Sequence, residues 1–207
     1  MKAILFDFDG TIIDSQTIIE DVVQKVLQEK NIVLNNTEKI FLAGMSLDDF
    51  AKLMNKTRKV NITQQEINKY LEEAIIQIEL FPHVKSMLAL LKSRKFKIAL
   101  VTNSPRNYVE TLFERHKLHH YFDSIVTVDE SKVAKPNPLM LKMACEEINV
   151  YHKDCIMIDD NEPGIIAGNE LNMVTVRVGN QKESAQHVVK NVDEILNVIE
   201  RIHFQEK

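Results

Sequence analysis

The chain is short of cysteine, of charge of one sign and of long apolar runs, and each shortage closes off a class of protein. Cys145 and Cys155 are the only cysteines among 207 residues. Both sit in apolar surroundings and read as buried, reduced thiols rather than a disulfide framework. A net charge of −4 and a pI near 6.0 give none of the basic excess that nucleic acid or an anionic membrane surface calls for. No apolar run approaches the roughly 20 residues of a membrane span. The opening MKAILFDFDG lacks the charged, apolar and small-residue layout of a secretory signal, so a cytoplasmic protein is expected. Hydrophobic residues at 44% and charged residues at 27% are ordinary for a chain that buries a core.

A second set of absences is local. Residues 15–80 contain no proline, one glycine (Gly44) and no convincing strand. Amphipathic helical patterns fill them instead, over 17–30, 46–56 and 64–80, with Ser46 and Thr63 placed as N-caps. The segment reads as a small helical module inserted after the first strand. Outside it, apolar runs recur at 3–6, 97–101, 124–128, 155–158 and 173–178. They are continuous rather than alternating, as strands buried on both faces of a parallel sheet should be. Between them lie stretches of helical period, such as 84–94 with Val84, Met87, Leu88 and Leu91 on one face. The alternation predicts an α/β fold with a doubly wound parallel sheet. Four prolines, Pro82, Pro105, Pro138 and Pro163, are placed to open helices, two of them behind the candidate N-caps Ser104 and Asn137.

Polar residues gather where these strands end. Asp7, Asp9, Gly10 and Thr11 follow the first, and Thr102, Asn103 and Ser104 the second. Asp129 and Glu130 follow the third, with Lys132 and Lys135 beyond; Asp159, Asp160 and Asn161 follow the fourth. In a parallel sheet all these ends share one edge, where open α/β proteins bind ligands. Carboxylates brought together there repel one another unless a cation lies among them, and oxygen donors without histidine or cysteine select a hard ion such as Mg2+. Hydroxyl, amide and ammonium groups beside them suit a phosphate. Simpler uses compete: Asp159 and Asp160 also fit as caps of the helix opened by Pro163, and Ser104 as an N-cap. The histidines at 116, 119 and 120 read as a solvated helix end rather than a metal site, and the basic run 55–59 as an exposed turn. Spacing alone does not choose between Lys132 and Lys135.

The strings FDFDGT (6–11), VTNS (101–104), AKPNP (134–138) and IDDNEPGIIAG (158–168) resemble, in order, the four motifs of the haloacid dehalogenase superfamily. The resemblance spans nearly the whole chain. It is strongest to the branch of β-phosphoglucomutases and phosphoglycolate phosphatases, which carry a helical cap after the first motif. It implies a Rossmann-like catalytic core over 1–14 and 81–207, with an inserted all-helical cap domain over 15–80 that closes over the cleft. It further implies a phosphatase acting on a small phosphorylated metabolite, as a monomer or weak dimer. Asp7 would be the nucleophile and Asp9 the acid and base; Thr102, Asn103 and Lys135 would hold the phosphate. Mg2+ would be held by Asp7, the Asp9 carbonyl, Asp160 and Asp159. An acid two residues after the nucleophile fits phosphatases and phosphomutases of the superfamily. Three departures stand out. Ala134 and His83 occupy positions where glycine is usual, so Ala134 would be strained if its φ were positive. Leu47, within GMSLDDF (44–50), replaces an arginine of the sugar phosphomutases, which favours a phosphatase over a phosphomutase of a sugar phosphate. A non-enzymatic phospho-acceptor or binding module is the reading from another class.

Overall fold

A computed structural model describes residues 1–179 and 184–205. In chain order the elements begin with β1 (Ala3–Phe6), β2 (Ile13–Asp14), α1 (Gln16–Gln28), α2 (Asn36–Gly44), α3 (Leu47–Arg58), α4 (Gln64–Ala74) and β3 (Glu79–Leu80). Then come α5 (Val84–Ser93), β4 (Lys97–Thr102), α6 (Arg106–His116), β5 (Ser124–Thr127), α7 (Val128–Ser131) and α8 (Leu139–Glu147). The chain continues with β6 (Cys155–Asp159), α9 (Glu162–Glu170), β7 (Val174–Val178), β8 (His187–Val189) and α10 (Ile195–Gln205). These elements form two compact units, 1–13 with 80–207 and 14–79.

The first unit is an α/β fold built on a parallel sheet in the order β5-β4-β1-β6-β7-β8. β1 pairs in parallel with β4 on one side and β6 on the other, Phe6 lying opposite Leu100 and Ile158. The chain therefore runs outward from β1 to β5, then crosses back to β6, and β1 stands where the winding reverses. Crevices at the carboxyl ends of strands open at such a reversal. Every residue of β1 is buried, as are Ile98–Thr102 and Cys155–Asp159, which is why these runs carry no polar alternation. One face packs on α8 and α9 through Leu141, Ala144, Ala167 and Leu171. Gly168 lets α9 lie close, since a Cβ there would stand 2.8 Å from the Thr175 methyl and 3.0 Å from Met157.

The runs at 3–6, 97–101, 124–128, 155–158 and 173–178 are strands to within a residue at each end. β8 has no counterpart in them: its His187-Val188-Val189 is too short to stand out as an apolar run. The prolines sit one position earlier than expected at two helices. Pro105 and Pro138 are themselves the N-cap residues of α6 and α8, while the Asn137 side chain accepts from Leu139 N–H at 3.0 Å. Pro163 lies inside the first turn of α9, as its fixed φ allows. The two positions where glycine is usual differ in backbone conformation. Ala134 is not among the positive-φ residues, whereas His83, just before α5, takes φ 63.

The unit 14–79 is helical and buries one face of each helix: Val22, Val23, Val26 and Leu27 of α1, Phe50, Ala51 and Met54 of α3, and Ile67 and Leu71 of α4. Ser46 and Thr63 cap α3 and α4 by accepting from Asp49 N–H and Glu66 N–H. Sequence patterning missed α2, although Asn35 and Glu38 form a full capping box at its start. Arg58 then clamps Glu38 through two bonds of 2.6 and 3.0 Å, tying the end of α3 to the start of α2.

Candidate active site

Three strand ends meet at the sheet edge. Asp7 directly follows β1 and continues its pairing, its N–H donating to Ile158 O at 2.9 Å. The chain then turns tightly: Ile12 and Ile13 N–H both donate to Phe8 O, at 2.8 and 3.1 Å. Gly10 makes this turn at φ 74, and a Cβ there would stand 2.2 Å from Asp160 Oδ2. Glycine is thus required twice over, by conformation and by space for a carboxylate. From the end of β6, Asp159 and Asp160 reach the same place. One carboxylate oxygen from each of Asp7, Asp159 and Asp160 lies within 4.8 Å of the others.

Lys135 is the counter-charge. Its ammonium, buried like its neighbours, donates to Asp7 Oδ1 at 2.6 Å, Asp159 Oδ2 at 2.7 Å and Val101 O at 3.2 Å. An ammonium has three N–H donors, and all are used. Asn103 holds the lysine in place by its backbone: its side-chain oxygen accepts from Lys135 N–H at 2.8 Å and its amide donates to Lys135 O at 3.3 Å. Thr102, buried at the end of β4, accepts the Ser104 N–H at 3.1 Å. Asp159 Oδ1 accepts from Asn161 N–H at 2.8 Å; Asp160 takes bonds from Thr11 Oγ1 at 3.4 Å and Asn161 Nδ2 at 2.8 Å.

Asp9 faces other partners. Tyr108 O–H donates to its Oδ1 at 2.8 Å and Ser104 O–H to its Oδ2 at 2.5 Å. The Ser104 hydroxyl is therefore spent on an acid rather than on capping α6. The cap of that helix comes instead from Asp129, which accepts Arg106 N–H at 2.7 Å. Glu130 closes a capping box with Thr127 at the start of α7 and pairs with Arg106 at 3.0 Å. So Asp129 and Glu130, though they follow a strand, serve helix ends and stand apart from the aspartate cluster. Lys132 ends α7 in a left-handed conformation, exposed; of the two lysines only Lys135 reaches the acids. The histidines also divide: His116 is buried rather than solvated, and His119 pairs with Glu110 at 3.3 Å. Tyr108 could not be read from sequence, because no pattern links it to an acid on another element.

Three carboxylates against one ammonium leave the cluster with excess negative charge. Burial, and then Asp159, push the Asp7 carboxyl up to about 8, with Lys135 opposing. Asp160 is raised well above the usual carboxylate range by burial, then by Asp159 and Asp7. On Lys135 burial acts to lower the ammonium pKa, but Asp159 and Asp7 together raise it, so the side chain stays charged. A divalent cation among the three acids would relieve this repulsion. The donor set, all oxygen and rigidly held, fits a hard ion. Among the described residues no other group of acidic, histidine or cysteine side chains has that geometry.

The family model for haloacid dehalogenase-like hydrolases matches residues 4–178. The chain belongs to that family. Its relatives include a "Pyrophosphatase PpaX" of Oceanobacillus iheyensis, 25% identical over 207 residues, spanning 96% of this chain and 97% of the relative. A "Phosphoglycolate phosphatase" of Psychrobacter arcticus is 29% identical over 189 residues, covering 84% of this chain and 82% of its own. Among solved structures, a β-phosphoglucomutase of Clostridium difficile superposes with a TM-score of 0.85 at 27% identity, over 100% of this chain and 98% of that one. The haloacid dehalogenase-like chain is thus an enzyme of phosphatase or phosphomutase type, and the aspartate cluster lies inside the matched segment.

Proposed function

We propose that the protein is a Mg2+-dependent phosphatase that hydrolyses a small phosphorylated metabolite through a phospho-aspartate on Asp7. The observation that carries this reading is the pairing of two differently held acids at one strand end. Asp7 lies in the charged cluster against Lys135, and Asp9, two residues on, is bound by neutral hydroxyls.

In the first half of the reaction a carboxylate oxygen of Asp7 attacks phosphorus and the ester oxygen leaves, receiving a proton from Asp9. In the second, Asp9 takes a proton from water, whose oxygen attacks the phosphorus and releases Asp7 and inorganic phosphate. Lys135 neutralises charge on Asp7 and on the incoming phosphoryl oxygens, and Thr102 and the Asn103 backbone line the same strand end for phosphate binding. Asp7, Asp159 and Asp160, with the Asp9 carbonyl, would hold the ion. When bound, Mg2+ supplies the positive charge that lets an anionic carboxylate approach an anionic phosphate. Asn103, occupied with Lys135, acts mainly by fixing that lysine.

The helical unit 14–79 is proposed as the cap, with residues 44–49 choosing the leaving group. The phosphatase names of the Oceanobacillus and Psychrobacter relatives support hydrolysis over isomerisation, as does Leu47 in place of a cationic anion clamp. Among the described residues no helix is long and apolar enough to cross a membrane; the cytoplasm is the location proposed. A phosphomutase is the second reading, favoured by the likeness to the Clostridium enzyme. The test is phosphate release from a panel of phosphoesters and pyrophosphate, with Mg2+, with chelator and with Asp7→Asn. Mg2+-dependent release abolished by Asp7→Asn is the expected result. An isomerised phosphoester without free phosphate would establish the mutase, and activity persisting in Asp7→Asn would refute the nucleophile.

A further inference from the structure

Tyr108 stands in the first turn of α6, 5% exposed, and meets the Phe8 ring edge-on with centroids 6.2 Å apart. Phe8 packs in turn on Phe113 at 5.5 Å. A ring held this way leaves its hydroxyl little freedom, and a buried tyrosine hydroxyl needs a partner. The partner is Asp9 Oδ1 at 2.8 Å, while Ser104 O–H takes Oδ2 at 2.5 Å. Ser104 is anchored separately, through its N–H on Thr102 Oγ1 at 3.1 Å. Each oxygen of one carboxylate thus has its own donor, one on α6 and one just after β4, and the pair restrains how the Asp9 carboxyl is turned.

We propose that Tyr108 and Ser104 are positioning residues that aim the Asp9 carboxyl at the leaving-group oxygen. The inference rests on the acid–base reading of Asp9 given above and deepens it. Neither hydroxyl exchanges a proton with substrate; the two act through Asp9 alone. Misplacing a reacting group by a fraction of an ångström is enough to slow a reaction severalfold or more. The dependence should be greatest where the leaving oxygen most needs a proton.

The test compares kcat/KM, which reports phosphoryl transfer and leaving-group departure, for 4-nitrophenyl phosphate and phenyl phosphate. The two esters are alike in shape, but phenol, like tyrosine, ionises only near about 10, so phenolate departs poorly without a proton. Nitrophenolate departs readily. Tyr108→Phe keeps the ring and its packing. It should lower kcat/KM for phenyl phosphate about tenfold more than for 4-nitrophenyl phosphate, the scale of one lost hydrogen bond. Ser104→Ala should act in the same direction, and Ser104→Thr, which keeps the hydroxyl, should restore most of the loss. Asp9→Asn should show the same selectivity at about 10²-fold or more. Equal effects on both esters in Tyr108→Phe and Ser104→Ala, no effect, or faster phenyl phosphate turnover would overturn the inference if Asp9→Asn stays selective. Loss of selectivity in Asp9→Asn itself would instead remove the acid role on which the inference stands.

Discussion

At the scale of single residues, the site is governed by what lies against the carboxylates. Gly164, in the first turns of α9, has no side chain because Asp159 occupies the space: a Cβ there would meet Asp159 Oδ2 at 1.8 Å and Cγ at 2.5 Å. Alanine favours a helix over glycine by about 1 kcal/mol, so Gly164→Ala should not weaken α9 for intrinsic reasons. It should push the Asp159 carboxylate off Lys135 and out of the cluster. We expect the Mg2+ concentration for half-maximal phosphate release to rise about tenfold or more, on the scale set by disturbing a metal site's surroundings. An unchanged Mg2+ titration would mean that Asp159 does not help to hold the ion. Lys135 shows the other side of the same balance. Spacing leaves it level with Lys132, and the family resemblance points to Lys135; the fold separates the two physically, burying one between two acids and leaving the other at an exposed helix end. The acids themselves were legible through the ordered motifs that carry them, since an acid closing an apolar strand can equally serve a helix end, as Asp129 and Glu130 do. Their partners were not. Tyr108 acts on Asp9 across a separation of 99 residues, and no local pattern announces such a contact.

At the scale of elements, the most readable parts were those whose burial is symmetrical. Strands β1, β4 and β6 are covered on both faces, so their sequences are continuous apolar runs. β8, three residues long at the sheet edge, has no such run. Helix α2 was hidden for another reason: its nine residues bury only Glu38 and Leu42, so its hydrophobic period is faint and its capping box is the stronger signal. Cap positions of α6 and α8 were misread by one residue because proline itself occupies the N-cap. The entry to α5 carries a testable strain. His83 holds φ 63 and ψ 1, a conformation that disfavours a Cβ-bearing residue by roughly 1–2 kcal/mol. His83→Gly should therefore raise stability by about 0.5–1 kcal/mol, after the greater unfolded-state entropy of glycine is set against the relief. Denaturant unfolding would measure it, and a loss of stability would show that the His83 side chain makes a contact worth more than the strain.

At the scale of the whole molecule, the parallel sheet explains how residues from 7 to 160 come to share one place, and the cluster's charge explains what that place asks for. Burial and Asp159 raise the Asp7 carboxyl to about 8, and Asp160 is raised as well. An acid whose folded pKa lies above its unfolded value binds more protons in the native state. Metal-free stability should therefore fall as pH rises from the ordinary carboxylate range through about 8. A cation displaces those protons, so its stabilising effect should grow over the same window. Melting temperatures with and without Mg2+ should differ more at about pH 8 than at about pH 5; a difference independent of pH would separate the ion from these acids. The step on which the mechanism turns is narrower still, the passage of phosphate through Asp7. Mixing the enzyme with 32P-labelled 4-nitrophenyl phosphate, whose leaving group departs without an acid's help, quenching in acid and mapping the label tests it most directly, with Asp9→Asn used to slow release of the phosphoryl group. The account predicts label on the peptide that carries Asp7, accumulating in Asp9→Asn and absent in Asp7→Asn. Turnover with no labelled protein in either active form would mean that water attacks the substrate directly, and the phospho-aspartate would have to be given up.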